Sequence, residues 1–267
     1  MERGIVYLVY GPKVLERLVL SAWTLRQWWY GPVTILYSTD KEYDVLRTAS
    51  RELGLNMVGV FTETGPRPHW LAKSRVPQYS PYNETLYIDA DTIITGPIDD
   101  MFGHDLTLTT HPGWTSRDFR TRQYIKQAMS LEDHGLGDLV RRQLHLEYPA
   151  INGGVLAFRK DKATFREWYT ITKQLGDHPL SEQTALQLLT GVISHRIADE
   201  RFNRMTKYGQ RTDDIRIWHF IGQTHCRPDS LWLPKFHEAL EANVGGLQSW
   251  AGEFDRHVRR LQTEEAQ

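Results

Sequence analysis

Through the first ninety residues, apolar runs of strand length alternate with segments whose apolar residues recur at helical spacing, and few folds accommodate that order. Ile5 to Tyr10 is an apolar run closed by Gly11-Pro12. Val14, Leu15, Leu18, Val19, Ala22, Leu25 and Trp29 then recur every three or four residues, which predicts a helix stopped by Gly31-Pro32. Val33 to Tyr37 reads as a second strand. Asp40 is placed to cap a helix with Val45, Leu46, Ala49 and Leu53 as its buried stripe, ended by Gly54. Asn56 to Phe61 is a third strand and Leu86 to Ile88 another. This βαβαβ order predicts an α/β chain: a Rossmann-like, mostly parallel central sheet flanked by helices. Open sheets of this kind bind ligands beyond the carboxyl ends of their strands. Tyr10, Ser38-Thr39-Asp40 and the residues after Ile88 all fall at such ends.

The last of these ends carries chemistry. Leu86-Tyr87-Ile88-Asp89-Ala90-Asp91-Thr92-Ile93-Ile94 presents two carboxylates one residue apart after a buried run. Strand side chains alternate faces, so extended backbone here aims Asp89 and Asp91 at a common point. Two carboxylates that close repel each other unless a cation sits between them, and hard oxygens select Mg²⁺ or Mn²⁺. Mg²⁺ is usually held by one or two carboxylates plus substrate phosphates, so a diphosphate is the ligand such a metal would hold. The plainer alternative is a strand ending in a turn with two solvated aspartates. Aspartate is depleted in strands and rarely follows so apolar a run, which weighs against it.

Composition narrows the setting. The 267 residues suffice for one large α/β domain, and a net charge of -1 supplies no global field toward nucleic acid or membrane. Cys226 is the only cysteine, which excludes an intramolecular disulfide and cysteine-rich zinc sites and fits a reducing compartment. No run approaches the ~18 apolar residues of a membrane span. Met1 to Gly4 leads straight into the first strand without the pattern of a signal peptide. The expected location is cytoplasmic.

Beyond the aspartates, Leu106 to Thr110 reads as a short strand. The stretch from Trp114 to Arg142 sets Arg117, Arg120, Arg122, Lys126, Arg141 and Arg142 among Trp114, Phe119 and Tyr124. It is either a solvated helix with i,i+4 charge pairs or a lid over an acceptor, whose arginines suit an anionic or phosphate-bearing group. Asn152-Gly153-Gly154 reads as a tight turn entering a strand that runs to Phe158. Leu180 to Leu189 is a short helix, and Ile215 to His219 a late strand. Pro234 opens a further helix, and Phe236, Leu240, Val244, Leu247, Trp250, Phe254, Val258 and Leu261 predict one or two C-terminal amphipathic helices. Trp23, Trp28 and Trp29 are expected in the core. The expected organisation is one domain over 1–267, with a nucleotide and metal half at 1–110, a sugar and acceptor half at 111–230 and a helical region at 231–267.

The run Tyr87-Ile88-Asp89-Ala90-Asp91-Thr92 resembles the Asp-x-Asp signature of nucleotide-sugar glycosyltransferases with the metal-dependent type A (GT-A) fold, and in particular the family 8 retaining enzymes, which include glycogenin. Four further islands agree, in the same order. Lys73 stands sixteen residues before Asp89, where these enzymes carry a lysine facing the donor's ribose and phosphates. Asn152-Gly153-Gly154-Val155 resembles their Asn-Ala-Gly-Val element. Glu182-Gln183-Thr184-Ala185-Leu186 resembles their Asp-Gln-x-x-Leu helix. Trp218-His219-x-x-Gly222 resembles the His-x-x-Gly whose histidine is the third metal ligand. The family then continues with x-x-Lys-Pro-Trp, whereas this chain has Gln223-Thr224-His225-Cys226-Arg227-Pro228. The cation against the diphosphate would therefore be His225, if protonated, or Arg227.

The resemblance implies a GT-A glycosyltransferase that takes a nucleoside-diphosphate sugar, with UDP-hexose the expected donor, and retains anomeric configuration. It implies Mn²⁺ or Mg²⁺ on Asp89, Asp91 and His219, acting as Lewis acid and template for the leaving diphosphate. Around the donor it implies Tyr10, Asp40, Lys73, Ala90, Gly153, Gly222, His225 and Arg227, with Asp40 toward the nucleobase. Gln183, Glu182 and Asn152 would face the reacting sugar. The acceptor, whether glycan, lipid-linked, protein or nucleic acid, is left open and is expected against 114–142. Two other readings compete. In an Asp-x-Asp phosphatase of the haloacid dehalogenase type the first aspartate is the nucleophile, although that motif usually ends the first strand. A non-catalytic sugar-nucleotide-binding module would share the fold without turnover.

Overall fold

The expected alternation is realised in the structure, a computed structural model that describes residues 2–11, 14–64, 67–128, 135–160, 163–205, 214–221, 231–242, 244 and 247. Strand β1 (Arg3–Val9), helix α1 (Leu15–Arg26), β2 (Val33–Tyr37), α2 (Asp40–Glu52) and β3 (Asn56–Gly59) follow one another. Then come α3 (Pro68–Ser74), α4 (Val76–Tyr79), β4 (Glu84–Ile88), β5 (Thr92–Ile94) and β6 (Leu106–Thr115). The remainder is α5 (Phe119–Ala128), α6 (Gly137–His145), β7 (Pro149–Arg159), α7 (Ala163–Leu175), α8 (Ser181–Leu189), β8 (Arg196–Ile197), β9 (Arg204–Met205), β10 (Ile217–His219) and α9 (Trp232–Glu241).

Seven strands form the main sheet in the order β3-β2-β1-β4-β7-β6-β8, and β5-β10-β9 form a second, three-stranded sheet. Pairs β2–β3, β1–β4 and β6–β8 are parallel, and β6–β7 is antiparallel. All five residues of β4 are buried, as a strand covered on both faces requires. The order reverses between β1 and β4, and Tyr10 and Asp89 follow the carboxyl ends of these two strands.

The chain divides into two compact units. The first is Met1–Val6, Phe61–Tyr87 and Asp99–Glu200; the second is Tyr7–Val60, Ile88–Ile98 and Arg201–Gln267. Within the first, the buried Glu84 accepts from Arg3 at 2.7 Å and from Arg159 at 2.9 Å, tying β4 to both of its neighbours. Also within it, two glutamines grip β7 from α8. Gln187 Oε1 accepts from Ile151 N–H at 2.7 Å and Gln183 Oε1 from Gly153 N–H at 3.2 Å. Four helical residues advance ~6 Å and two strand residues ~6.6 Å, so side chains four apart on the helix match amides two apart on the strand. Buried Gln143 of α6 joins them, accepting from Gln187 Nε2 at 3.0 Å and donating to Thr190 Oγ1 at 3.0 Å.

The structure corrects four expectations. Helix α1 ends at Arg26, short of Trp29, and the Arg26 guanidinium ties down the turn that follows by donating to the carbonyls of Gly31 at 2.6 Å and Leu53 at 2.8 Å. Trp29 is in the core and Trp23 half-buried, but Trp28 is 41% exposed. Strand β6 runs on to Thr115, twice the expected length. Asn152-Gly153-Gly154 is no turn; it lies inside β7, and neither glycine takes a positive φ. Leu108 pairs with Leu156 but Thr109 with Asn152, so three residues bulge from β7. Thr109 Oγ1 closes the mouth of the bulge on the carbonyls of Val155 (2.7 Å) and Asn152 (3.2 Å). Glycine inside a strand marks such a bulge, which the sequence pattern does not separate from a turn.

Of the basic stretch, α5 and α6 are described, and Arg120, Arg122, Lys126, Arg141 and Arg142 are exposed on them. The predicted C-terminal helix appears as α9, whereas Trp250, Phe254, Val258 and Leu261 lie outside the described residues. Among the described residues, no helix is long and apolar enough to cross a membrane.

Candidate active site

Asp89 and Asp91 do converge, by a route other than strand alternation. Strand β4 stops at Ile88 and β5 starts at Thr92, so Asp89-Ala90-Asp91 is a bend between strands of different sheets. The bend is held by a directed chain of hydroxyls in the second unit. Thr92 Oγ1 donates to Asp89 C=O at 2.9 Å, which spends its one proton. Ser21 Oγ, 2.7 Å away, must therefore donate to Thr92, and Tyr7 Oη, 3.0 Å from Ser21, must donate to Ser21. All three hydroxyl side chains are fully buried, and burial pushes the Tyr7 phenol far above its ordinary range.

Strand pairing brings the third side chain. Strand β10 runs antiparallel to β5 with His219 opposite Thr92, and Phe220 N–H donates to Asp91 C=O at 2.9 Å. His219 Nε2 then lies 3.3 Å from Asp91 Oδ1 and 3.9 Å from Asp89 Oδ2. Asn203 Oδ1 accepts from His219 Nδ1 at 2.9 Å, which in the neutral ring leaves the Nε2 lone pair toward the two carboxylates. One ligand atom from each of Asp89, Asp91 and His219 falls within 4.8 Å of the others. Three such atoms so close call for a proton on Nε2 or a cation between them, and two carboxylate oxygens plus an imidazole fit Mn²⁺ or Mg²⁺. Burial pushes the Asp91 carboxyl up, but with no metal in place a protonated His219, and then Arg17, outweigh it and hold the carboxyl below the usual carboxylate range.

A second cluster belongs to the first unit. The Gly153 amide meets Gln183 Oε1, and the Gln183 amide nitrogen lies 3.3 Å from His111 Nε2. Lys73 Nζ lies over the Tyr87 ring, 5.2 Å from its centroid, and a Cβ placed on Gly153 would sit 3.7 Å from that nitrogen, an ordinary contact. Asn152 is buried, with Oδ1 accepting from Gly154 N–H at 2.8 Å, so its carboxamide shapes the bulge. Gln183 is half-buried; Glu182 is buried, and its carbonyl accepts from the Trp168 indole at 2.7 Å. Immediately before them, Leu180 takes φ 53°, the one non-glycine in the left-handed region among the described residues.

Tyr10 is half-buried after β1, Ala90 is buried in the bend, and Asp40 is exposed at the first residue of α2. Gly222, His225 and Arg227 lie outside the described residues. Sequence reasoning missed Asn203, His111 and Arg17. His111 had a signal: Pro112-Gly113 inside a strand marks a bulge.

This sheet order and bend define a GT-A glycosyltransferase fold. At 16% identity the chain resembles the galactosyltransferase LgtC, solved in complex with donor and acceptor sugar analogs, with a TM-score of 0.59 over 93% of this chain and 99% of that one. It resembles the glycosyltransferase GlyE of Streptococcus pneumoniae TIGR4 at 14% identity and a TM-score of 0.59, covering 97% of this chain and 64% of that one. Mouse xyloside xylosyltransferase 1 gives 10% identity and a TM-score of 0.54, covering 84% and 98%. No protein-family profile and no curated protein matches the sequence.

Proposed function

We propose that the chain is a metal-dependent glycosyltransferase that takes a nucleoside-diphosphate sugar, a UDP-hexose in the first instance, and transfers the sugar with retention. One observation carries the reading: in a GT-A fold, Asp89, Asp91 and His219 bring one ligand atom each to within 4.8 Å of the others. Mn²⁺ or Mg²⁺ held there supplies the charge that neutralises a departing diphosphate. Asn203 keeps His219 in the tautomer that can ligate, and the hydroxyl chain from Tyr7 keeps the bend in place. Arg17 adds positive charge toward Asp91.

Lys73 offers its ammonium to the donor's ribose and phosphates. Of the acid–amide pair on α8, Gln183 meets the sugar, since Glu182 is buried. Asn152 contributes by shaping the bulge beside it. Asp40 serves the nucleobase and Tyr10 the donor; Gly222, His225 and Arg227 are assigned on the resemblance alone. An anionic acceptor suits the 420 Å³ cavity at α6 lined by Arg141, Arg142 and His145, with Asp138 and Leu146. A lone cysteine suits the cytoplasm.

The test is release of UDP from UDP-glucose and UDP-galactose with Mn²⁺, with EDTA, and by Asp91→Asn. Metal-dependent release that Asp91→Asn abolishes supports the reading. Cleavage of p-nitrophenyl phosphate without nucleotide would point to the phosphatase. Donor binding with no turnover would point to the binding module.

A further inference from the structure

Two partners fix which way round the Gln183 carboxamide sits. Gly153 N–H can only donate, so the atom it meets at 3.2 Å is Gln183 Oε1. The Gln183 NH₂ group therefore faces His111 Nε2 at 3.3 Å. That group carries only donors, so Nε2 must accept, and His111 is neutral with its proton on Nδ1. The backbone brings His111 to this place deliberately. Thr110 pairs with Ile151 but Thr115 with Pro149, so three residues of β6 loop out around Gly113 at φ 70°. Bulges of this kind re-aim side chains next to active sites. The Trp114 ring, 5.8 Å from the His111 ring and tilted 34°, packs against it.

We infer that His111 is a positioning residue for the transfer: its Nε2 lone pair locks the Gln183 carboxamide so that Gln183 meets the sugar through an N–H. This rests on the glycosyltransferase reading and adds a polarity to it. With Oε1 held by Gly153 and one N–H by His111, the second N–H remains to donate to a sugar oxygen. Without the His111 acceptor the amide keeps one tether of two, and its oxygen and nitrogen can exchange places by rotation about χ3.

Two variants separate acceptor from shape. His111→Phe keeps a ring against Trp114 and accepts nothing; His111→Gln can bring a carbonyl oxygen near the Nε2 position. With Mn²⁺ and UDP-glucose or UDP-galactose, the Phe variant is expected to lose about 10-fold in kcat, with donor Kd within about 2-fold, and the Gln variant to recover most of it. Wild-type kcat in the Phe variant would overturn the inference, as would equal losses of kcat and donor affinity in both variants. Ring ¹⁵N spectra of the unmodified protein, with His111 assigned by its absence from the variants, are expected to show protonated Nδ1 and bare Nε2. A proton on Nε2 would overturn the pairing whether or not the Phe variant folds well. Failure of the unmodified protein to bind either donor with Mn²⁺ would instead overturn the glycosyltransferase reading, and this inference with it.

Discussion

Asn203 accepts the Nδ1–H of His219 at 2.9 Å and so turns the opposite ring nitrogen toward Asp91. Asn203 is fully buried, its partner nearly so, and β9, which starts just after Asn203, runs parallel in the small sheet to β10, which ends on His219. The Asp89–Asp91–His219 cluster is therefore built by the pairing of the second sheet as much as by the aspartates that announce it.

Asn203→Leu should remove the acceptor and free the His219 ring to turn. Loss of such an outer partner typically lowers metal affinity about 10–100-fold. Mn²⁺ titration of wild type, Asn203→Leu and Asn203→Asp checks this, with the Asp variant expected to stay close to wild type. Equal affinity in all three would remove the orienting role.

Thr92→Val keeps shape and deletes the hydroxyl on which the Tyr7–Ser21 chain ends. Ser21 then loses its acceptor and Asp89 C=O its donor, at a cost of about 1–3 kcal/mol. Denaturant unfolding should report that loss, and Mn²⁺ affinity should fall with it because the bend is no longer pinned.

Glu84 gives a pH signature. Burial pushes its carboxyl up, but the hydrogen bonds and charges of Arg3 and Arg159 outweigh that and hold it below its ordinary value. A carboxyl lowered by folding contributes stability above its unfolded pKa of ~4.3 and loses it as pH falls through the folded value. Glu84→Gln should thus cost about 1–2 kcal/mol at pH 7, toward the low end because both arginines are partly exposed. The gap should close in acid. A difference that stays constant down to pH 3 would contradict the assignment.

Gln187→Ala should be costlier than its position near a helix end suggests. It strands the Ile151 amide and Gln143 in a buried setting, each unsatisfied group costing about 1–3 kcal/mol. A change in melting temperature no larger than that of an exposed glutamine on the same helix would show the network to be dispensable.

Much of the fold was legible because it is written locally. The runs at Ile5 and Val33 and the helical stripe ending at Gly54 lie where β1, β2 and α2 lie, since hydrophobic periodicity is a short-range property. Asp89 and Asp91 were read through an argument that proved wrong in its geometry: the two flank a bend, and a hydroxyl chain does what strand alternation was expected to do. The Gly153-Gly154 pair shows the opposite failure. Turn and bulge draw on the same residue type, and only the partner strand distinguishes them. What stayed hidden is non-local. Nothing near Asn203 in the chain tells that it would face His219, and Pro112-Gly113 marks a bulge at His111 without naming Gln183 as its partner, because β-pairing register and the packing of α8 on β7 set these contacts.

The central claim is tested most directly by calorimetric titration of UDP-, GDP-, TDP- and ADP-sugars into the protein with Mn²⁺, repeated with EDTA and with Asp91→Asn. The account predicts that a UDP-sugar binds, that EDTA abolishes the binding, and that Asp91→Asn abolishes it too. Binding that survives both EDTA and the substitution, or no binding of any nucleotide sugar, would contradict it.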